Sequence, residues 1–395
     1  MLSLHKLFKN DGNPTSLDEV ITPSAAQKRA LMDAKNDIRD HLRKTIREAT
    51  VSVLGMPHMV TPRFRTQGSW AYKTCIKGAH LPPQEMDWDF GVYLPVTAWE
   101  DTSPPRAMAR LYFEFVERSL ADLCEQKGWV QDKSNKRCAR VKISDWGHVD
   151  LPLYAAPEDK FRNVAEKSAM DSSMKRTNHL RENASLEEFS EKGEMPNDFW
   201  VLMDEIHVAK RDGTWQKSDP EQVANWFDDR VTEHTDQLRR VCRYLKAWRD
   251  YNWESGGPTS VLIMIIVSKS FQAIRGRDDL ALENAAADLA KRLAEDVREV
   301  GIDLGVEDFN RLSPADRIVA SQKARELQQA IYTSRHYGPG LVGKAIANMQ
   351  TYFGTRISND ASLVVVDNAA EVRSTDAARV AAPAVGATKA GWRAK

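Results

Sequence analysis

The sequence predicts an α+β protein of two lobes, a mixed-sheet lobe followed by a helical lobe, facing a central cleft. Three observations carry this. Short segments in which polar and apolar residues alternate, the pattern of half-buried strands, are confined to residues 63–154. From about Asn225 the apolar residues recur at three and four positions instead, the pattern of amphipathic helices. The length, 395 residues, exceeds what one ordinary domain needs and falls short of three.

The elements follow in order. Thr22-Pro23 supplies an N-cap residue and a proline at the first helical position, and Leu31, Ala34, Ile38, Leu42, Ile46 and Ala49 continue as one apolar stripe to about Thr50. Residues 63–67 and 86–94 read as strands, 106–127 as a helix on Leu111, Phe115, Leu120 and Leu123, and 138–144 and 148–154 as two further strands. Helices are expected over 223–251, 259–274, 278–300, 314–334 and 341–353. From Ala369 onward, ten of 27 residues are alanine with no sustained stripe, which predicts a flexible tail. The expected units are therefore 1–224, a catalytic lobe that includes the long N-terminal helix, 225–360, a helical lobe, and 361–395, the tail.

Composition narrows the function. Lys plus Arg and Asp plus Glu both number 56, so zero net charge argues against coating nucleic acid or a membrane through global charge. No run approaches the roughly 18 to 20 apolar residues of a membrane span, and the N-terminus lacks a secretory pattern. Cys75, Cys124, Cys138 and Cys242 form no CxxC pair and read as reduced structural thiols. A cytoplasmic location is expected.

The chemistry is concentrated in Gly68-Ser69 and Asp87-Trp88-Asp89. Residues i and i+2 of a strand share a face, so Asp87 and Asp89 place two carboxylates side by side, while Met86, Trp88 and Phe90 face the core. Unneutralised, the two anions repel. A hard divalent cation relieves that cost and prefers carboxylate oxygens together with substrate phosphates. Gly68-Ser69, at the end of a strand, can open a helix whose free N–H groups meet a phosphate. Asp150, in HVDLPLY, is a third strand-borne acid between Val149 and Leu151. It reads either as a salt-bridged core acid or as a third metal ligand near an acceptor hydroxyl. Three carboxylates around two metals suit in-line phosphoryl or nucleotidyl transfer.

The blocks TQGSWAY, QEMDWDFGVYLP, HVDLPLYAAP, VCRYLKAWRDYNWESGGPTS and YFGTRISN, in order from about Pro62 to Asn359, closely resemble the bacterial cGAS/DncV-like nucleotidyltransferases. The resemblance implies a polymerase β-like nucleotidyltransferase fold and the following roles. Asp87, Asp89 and Asp150 would bind two Mg²⁺ ions, with Mn²⁺ as a possible substitute. Gln67, Gly68 and Ser69 would hold the donor triphosphate, and Lys246 and Ser260 would contact it from the helical lobe. Arg140 matches an arginine directed toward the bases, although a purely structural strand arginine reads equally well. Trp226, Trp248 and Trp253 are expected in packing, whereas Tyr72 and Tyr93 lie nearer the active-site face. His148 is expected as a neighbour of the site. The spacer between Gly-Ser and the paired aspartates is longer than the minimal pattern, and a tryptophan stands between the aspartates where an aliphatic residue is usual.

The implied activity is synthesis of a cyclic dinucleotide from ATP and GTP, 3′,3′-cyclic GMP–AMP, as a second messenger of anti-phage (CBASS) defence acting on an effector. An E1/E2-like conjugating protein and a JAB-type protease acting at the C-terminus are further implied partners. Two other readings stand beside it: an RNA-end nucleotidyltransferase of the poly(A) or CCA-adding kind, and a non-catalytic nucleotide sensor.

Overall fold

The computed structural model describes residues 1–54, 59–96, 105–157, 159–161, 205–303 and 305–367. The chain opens with a two-residue strand β1 (Leu2–Ser3) and two short helices, α1 (His5–Phe8) and α2 (Leu17–Ile21), before the long helix α3 (Ala25–Ala49). Ser24, not Thr22, caps α3. Its hydroxyl accepts from Gln27 N while Gln27 Oε1 accepts from Ser24 N, a reciprocal capping box. Thr22 is already committed to the end of α2, donating its hydroxyl to Asp18 O at 2.6 Å.

The catalytic lobe follows as β2 (Arg63–Thr66), α4 (Gly68–Ala71), β3 (Met86–Pro95), α5 (Pro105–Lys127), β4 (Val130–Asp132), β5 (Ala139–Lys142), β6 (Gly147–Leu151), β7 (Leu153–Ala156), β8 (His207–Ala209) and β9 (Trp215–Lys217). The expected strand over 148–154 is interrupted at Pro152, which has no N–H to donate. Its two halves, β6 and β7, keep one register along β3, with Met86 opposite Gly147 and Val92 opposite Leu153, both parallel. β2 pairs antiparallel with β3, β5 and β4 extend the sheet beyond β6, and β8 and β9 extend it beyond β7. Helices α3 and α5 cover the sheet, burying Leu31, Ile38, Leu42, Tyr112, Val116 and Leu120 against Met86, Trp88, Phe90 and Val149.

The helical lobe comprises α6 (Pro220–His234), α7 (Asp236–Asn252), α8 (Ser260–Ser268), α9 (Asp278–Arg292), α10 (Val300–Asp303), α11 (Pro314–Arg335) and α12 (Val342–Phe353), and the described chain ends in β10 (Val365–Val366). The continuous helix expected over 223–251 is two helices. Thr235 adopts φ 68°, which no helix continues through, and its hydroxyl caps α7 at Gln237 N. Trp226 and Trp248 are buried in this lobe's core, and Trp253 packs edge-on against Trp248 at 5.2 Å.

Both expected outer boundaries are corrected. Leu2, Leu4, Leu7, Phe8, Leu17 and Ile21 are fully buried in the helical lobe's core, not in the catalytic lobe. Leu4 N donates to the buried Asp279 carboxylate at 2.9 Å, and Arg243 pairs with Asp18. At the other end, Leu363 and Val364 join the same core and β10 pairs antiparallel with β1, so the fold reaches at least Asp367 rather than ending at 360. The tail expected beyond Ala369 lies outside the described residues. Among the described residues no helix is long and apolar enough to cross a membrane.

Candidate active site

The site is built on the first half of β3. Its inward residues Met86, Trp88 and Phe90 are buried as the alternation predicts, which sends Asp87 and Asp89 to the opposite face. Asp150 on β6 stands directly opposite Asp89 in the parallel register, and His148 stands opposite Asp87. The turn between β2 and α4 is fastened over this face. Gln67 N donates to Asp89 O at 2.8 Å and Trp70 Nε1 donates to Asp87 O at 2.9 Å. Gly68 takes φ +59°, and a Cβ there would overlap the Asp89 carboxylate. Only glycine lets the backbone come so close to the acid.

Trp88 contributes more than core filling. It stacks on Trp70 with centroids 4.4 Å apart, and its Nε1 donates to Thr66 Oγ1 at 3.2 Å. The tryptophan between the two aspartates therefore pins the Gly-Ser turn to the strand that carries them.

Charge dominates the site. Burial first, then the neighbouring Asp87 and Asp150 charges, hold the Asp89 carboxyl well above the usual carboxylate range. Asp150 differs, because Arg140 Nε and Nη2 donate to its two oxygens at 2.6 and 2.8 Å. This hydrogen-bonded pairing raises the guanidinium's own pKa. The salt-bridged reading of Asp150 thus holds for its carboxylate, and it holds beside Asp89. Among the described residues no three His, Cys, Asp or Glu side chains converge as a ready-made metal cage. The donor set left open is the Asp87–Asp89 pair. Two strand carboxylates, one of them half-buried under a repulsion that Arg140 and Lys246 offset only in part, fit a hard divalent cation whose remaining ligands are water and substrate oxygens.

Beside the acids, His148 Nδ1 lies 2.8 Å from Glu85 Oε2, and Lys142 donates to Glu85 Oε1 at 2.6 Å. Burial opposes ionisation of Glu85, but these two partners outweigh it and hold its carboxyl below the ordinary value.

The helical lobe closes the other side. Lys246 and Arg249, one turn apart on α7, line a cleft of about 520 Å³ together with Gly68, Ser69, Tyr72, Asp87, Asp89, Arg140 and Ser260. Lys246 is buried, which lowers its pKa, and its ammonium donates to Thr74 O at 2.8 Å. Thr259 caps α8 by accepting from Leu262 N at 3.2 Å. Ser260 is therefore the first helical residue, with its hydroxyl 3.3 Å from Arg249 Nη1. Cys75 also lines the cleft, but burial pushes its thiol up to about 11. All four cysteines are buried and free.

Of the expected site residues, Asp87, Asp89, Gly68, Ser69, Arg140, Lys246 and Ser260 all border this cleft. Asp150, tied to Arg140 behind the cleft wall, and Gln67 do not. The Gln67 side chain is buried behind the turn, donating to Tyr93 Oη and accepting from Tyr154 Oη at 2.9 Å. Those two tyrosines stack at 4.3 Å, so Tyr93 is an internal support and not a base platform, whereas Tyr72 does border the cleft. Arg249 and Gln84 were not singled out in the sequence, and only their position inside the blocks KAWRD and QEMDWD signals them.

Two family models match the two lobes. The nucleotidyltransferase domain of cyclic GMP-AMP synthase DncV-like proteins matches residues 62–154, and the cyclic GMP-AMP synthase C-terminal domain matches residues 235–366. The chain belongs to the DncV-like nucleotidyltransferase family. A cyclic GMP-AMP synthase of Escherichia coli is 39% identical over 211 residues, which cover 52% of this DncV-like chain and 46% of the relative. The match thus spans about half the length of that relative. A cyclic GMP-AMP synthase of Vibrio cholerae is 28% identical over 319 residues, covering 78% of this chain and 70% of that protein. The crystal structure of Vibrio cholerae DncV with the linear intermediate 5′ pppA(3′,5′)pG shares the fold. Its TM-score is 0.70 at 22% identity, covering 93% of this chain and 99% of that one. DncV-like nucleotidyltransferases are a metal-dependent class.

Proposed function

We propose that this chain is a cyclic dinucleotide synthase that joins ATP and GTP into 3′,3′-cyclic GMP–AMP. The observation that carries the reading is the facing of two unlike surfaces across one cleft. Asp87 and Asp89 on β3 lie opposite Lys246, Arg249 and Ser260 at the mouth of α7 and α8. One side suits a cation, the other a triphosphate, and the cleft between them suits an NTP. Related proteins carry the name of this activity, and the Vibrio cholerae enzyme has been crystallised with a linear dinucleotide intermediate.

In this reading Asp87 and Asp89 would hold two Mg²⁺ ions, for which Mn²⁺ would substitute, with Asp150, paired to Arg140, as the third carboxylate on the acceptor side. The ions supply charge neutralisation of the phosphates and a lowered pKa for the attacking hydroxyl. Ser69, Lys246 and Ser260 bind the donor triphosphate and orient its α-phosphate. The acceptor 3′-oxygen bonds to that phosphorus, the bond to pyrophosphate breaks, and the hydroxyl proton leaves to solvent. Gly68, having no Cβ, lets the turn that would meet the triphosphate lie directly against the Asp89 carboxylate. A second transfer of the same kind, after the linear product rebinds with its ends exchanged, closes the ring and releases a second pyrophosphate.

Incubation of the full chain with all four NTPs and Mg²⁺, with products identified by mass spectrometry, tests this. A phosphatase-resistant cyclic GMP–AMP formed without RNA is expected. Products formed only on added RNA would establish the RNA-end reaction instead, and binding without pyrophosphate release would establish a sensor. Cytoplasmic action, an effector that binds the product, and conjugation of the C-terminus by an E1/E2-like protein with removal by a JAB-type protease belong to the same proposal. Deletion of residues 369–395 is expected to leave cyclase activity intact in the purified protein and to weaken phage defence only in cells that encode the conjugating protein.

A further inference from the structure

The long spacer between Gly68-Ser69 and Asp87 is bound to the helical lobe at almost every turn of its path. Arg239 Nε donates to Tyr72 O at 3.1 Å and Lys246 Nζ to Thr74 O at 2.8 Å. Lys77 N donates to Ile21 O at 2.8 Å, within the N-terminal segment that belongs to the helical lobe's core. Arg356, in the YFGTRISN block, donates to Lys77 O at 2.8 Å and to Ala247 O at 3.3 Å, joining the spacer to α7. Tyr72 and Ile76 are buried in the helical lobe's core.

The last of these ties is the most fully bonded. Gln84 Nε2 faces Asp250 O and Trp253 O, both at 2.7 Å, and Glu254 O at 3.3 Å. These are carbonyls at and just past the C-terminal end of α7, which the helix itself leaves without partners. Gln84 Oε1 accepts from Ala79 N at 2.8 Å and His80 N at 3.1 Å, so the same amide also folds the spacer on itself. Only a side chain with both a donor and an acceptor end, and of this length, satisfies both sets. Three residues further on is Asp87, and α7 carries Lys246 and Arg249.

We propose that residues 72–84 are a strap that fixes the spacing of the two cleft walls, and that Gln84 is its latch, a positioning residue for triphosphate binding. The inference rests on the cleft being the triphosphate site. Gln84 acts through the α7 residues it holds in place. Releasing it weakens any ligand that spans the cleft and spares a ligand held by the catalytic lobe alone.

The test compares two probes on the full chain and its Gln84→Leu and Gln84→Glu variants. Mn²⁺ alone, followed by electron paramagnetic resonance, reports the Asp87–Asp89 pair. Mn²⁺ with tripolyphosphate, followed by calorimetry, reports both walls. Both variants are expected to bind Mn²⁺ as the unaltered chain does and to bind tripolyphosphate about tenfold more weakly or worse, the loss of one or more net hydrogen bonds. Gln84→Glu is expected to be the weaker, because its carboxylate faces carbonyl oxygens at a helix C-terminus. Hydrogen exchange guards against misfolding. In Gln84→Leu, which removes the acceptor, the segment containing Ala79 and His80 should lose protection, while β3 keeps it in both variants. Equal loss of both probes, or loss of protection in β3, makes Gln84 a merely structural residue and overturns the proposal. Unchanged tripolyphosphate affinity in both variants overturns the latch while leaving the triphosphate site standing. An unaltered chain that fails to bind tripolyphosphate overturns the site, and the latch with it.

Discussion

Replacing Asp89 by Asn should make the protein more stable and catalytically dead. Asp89 is half-buried beside Asp87, and its carboxyl is held well above the ordinary range first by desolvation and then by the Asp87 and Asp150 charges. Two residues along a strand are about 6.6 Å apart, and two like charges at that distance interact by about 2.5 kcal/mol at an effective dielectric constant of about 20. Arg140 and Lys246 offset part of this repulsion, so removing the charge should stabilise by about 1–2 kcal/mol. That is a rise in Tm of about 1–2.5 °C for a chain of this size. The sign with pH follows from linkage. A carboxyl whose folded pKa is raised binds its proton more tightly in the folded state, so the parent chain loses stability as pH rises from the unfolded pKa through the folded one. The advantage of Asp89→Asn is therefore greatest at high pH, shrinks as pH falls, and disappears only below the unfolded carboxyl pKa of about 3.9. Chemical denaturation at pH 8 and at pH 4.5, with chelator present, measures it. Mg²⁺ added at pH 8 should raise the Tm of the parent chain and leave the variant unmoved, because the ion and the substitution relieve the same repulsion. A variant less stable than the parent at pH 8 in chelator would refute the account of Asp89 as a carboxylate held under electrostatic cost.

Asp150→Asn should behave oppositely, losing about 1–3 kcal/mol in denaturation because it leaves the Arg140 guanidinium without its bidentate partner. It should also block pyrophosphate release while a non-hydrolysable ATP analogue still binds. Gly68→Ala should abolish turnover and lower stability, since φ +59° alone costs about 1–2 kcal/mol for a residue with a Cβ and that Cβ meets Asp89. Ser24→Ala should cost about 1 kcal/mol in denaturation through loss of the capping box, with pyrophosphate release unchanged.

What the sequence made legible is what strand and helix periods encode. Asp87 and Asp89 share a face because two residues separate them, and α3, α5 and α11 announce themselves through long apolar stripes. The unread parts have a common physical character, for they depend on contacts between segments far apart in the chain. The N-terminal segment holds elements of two to five residues, too short for any period to show, yet Leu2, Leu4, Leu7 and Phe8 are fully buried because β10 and α9 lie beside them. The direction of the Gln67 side chain is set by Tyr93 and Tyr154, 26 and 87 residues away. Asp150 was open to two readings because an acid between apolar strand neighbours needs some partner, and its neighbours do not say which. The structure places that partner, Arg140, directly across from it in the β5–β6 register.

The same distinction explains why the spacer after Ser69 carried no signal. Its sequence, TCIKGAHLPP, has no helical or strand period, and its Cys75, Lys77 and His80 form no spaced binding motif. Its contacts with the helical lobe run largely through its backbone, to Arg239, Lys246 and Arg356. A segment that is held by its backbone is free to vary its side chains, so residue types do not advertise its role. Tyr72 and Ile76 add buried side chains to these ties, but Gln84 gathers the most hydrogen bonds, because five neighbours converge on one amide. It is therefore the position in the spacer where a change of one polar side chain should be felt most across the cleft.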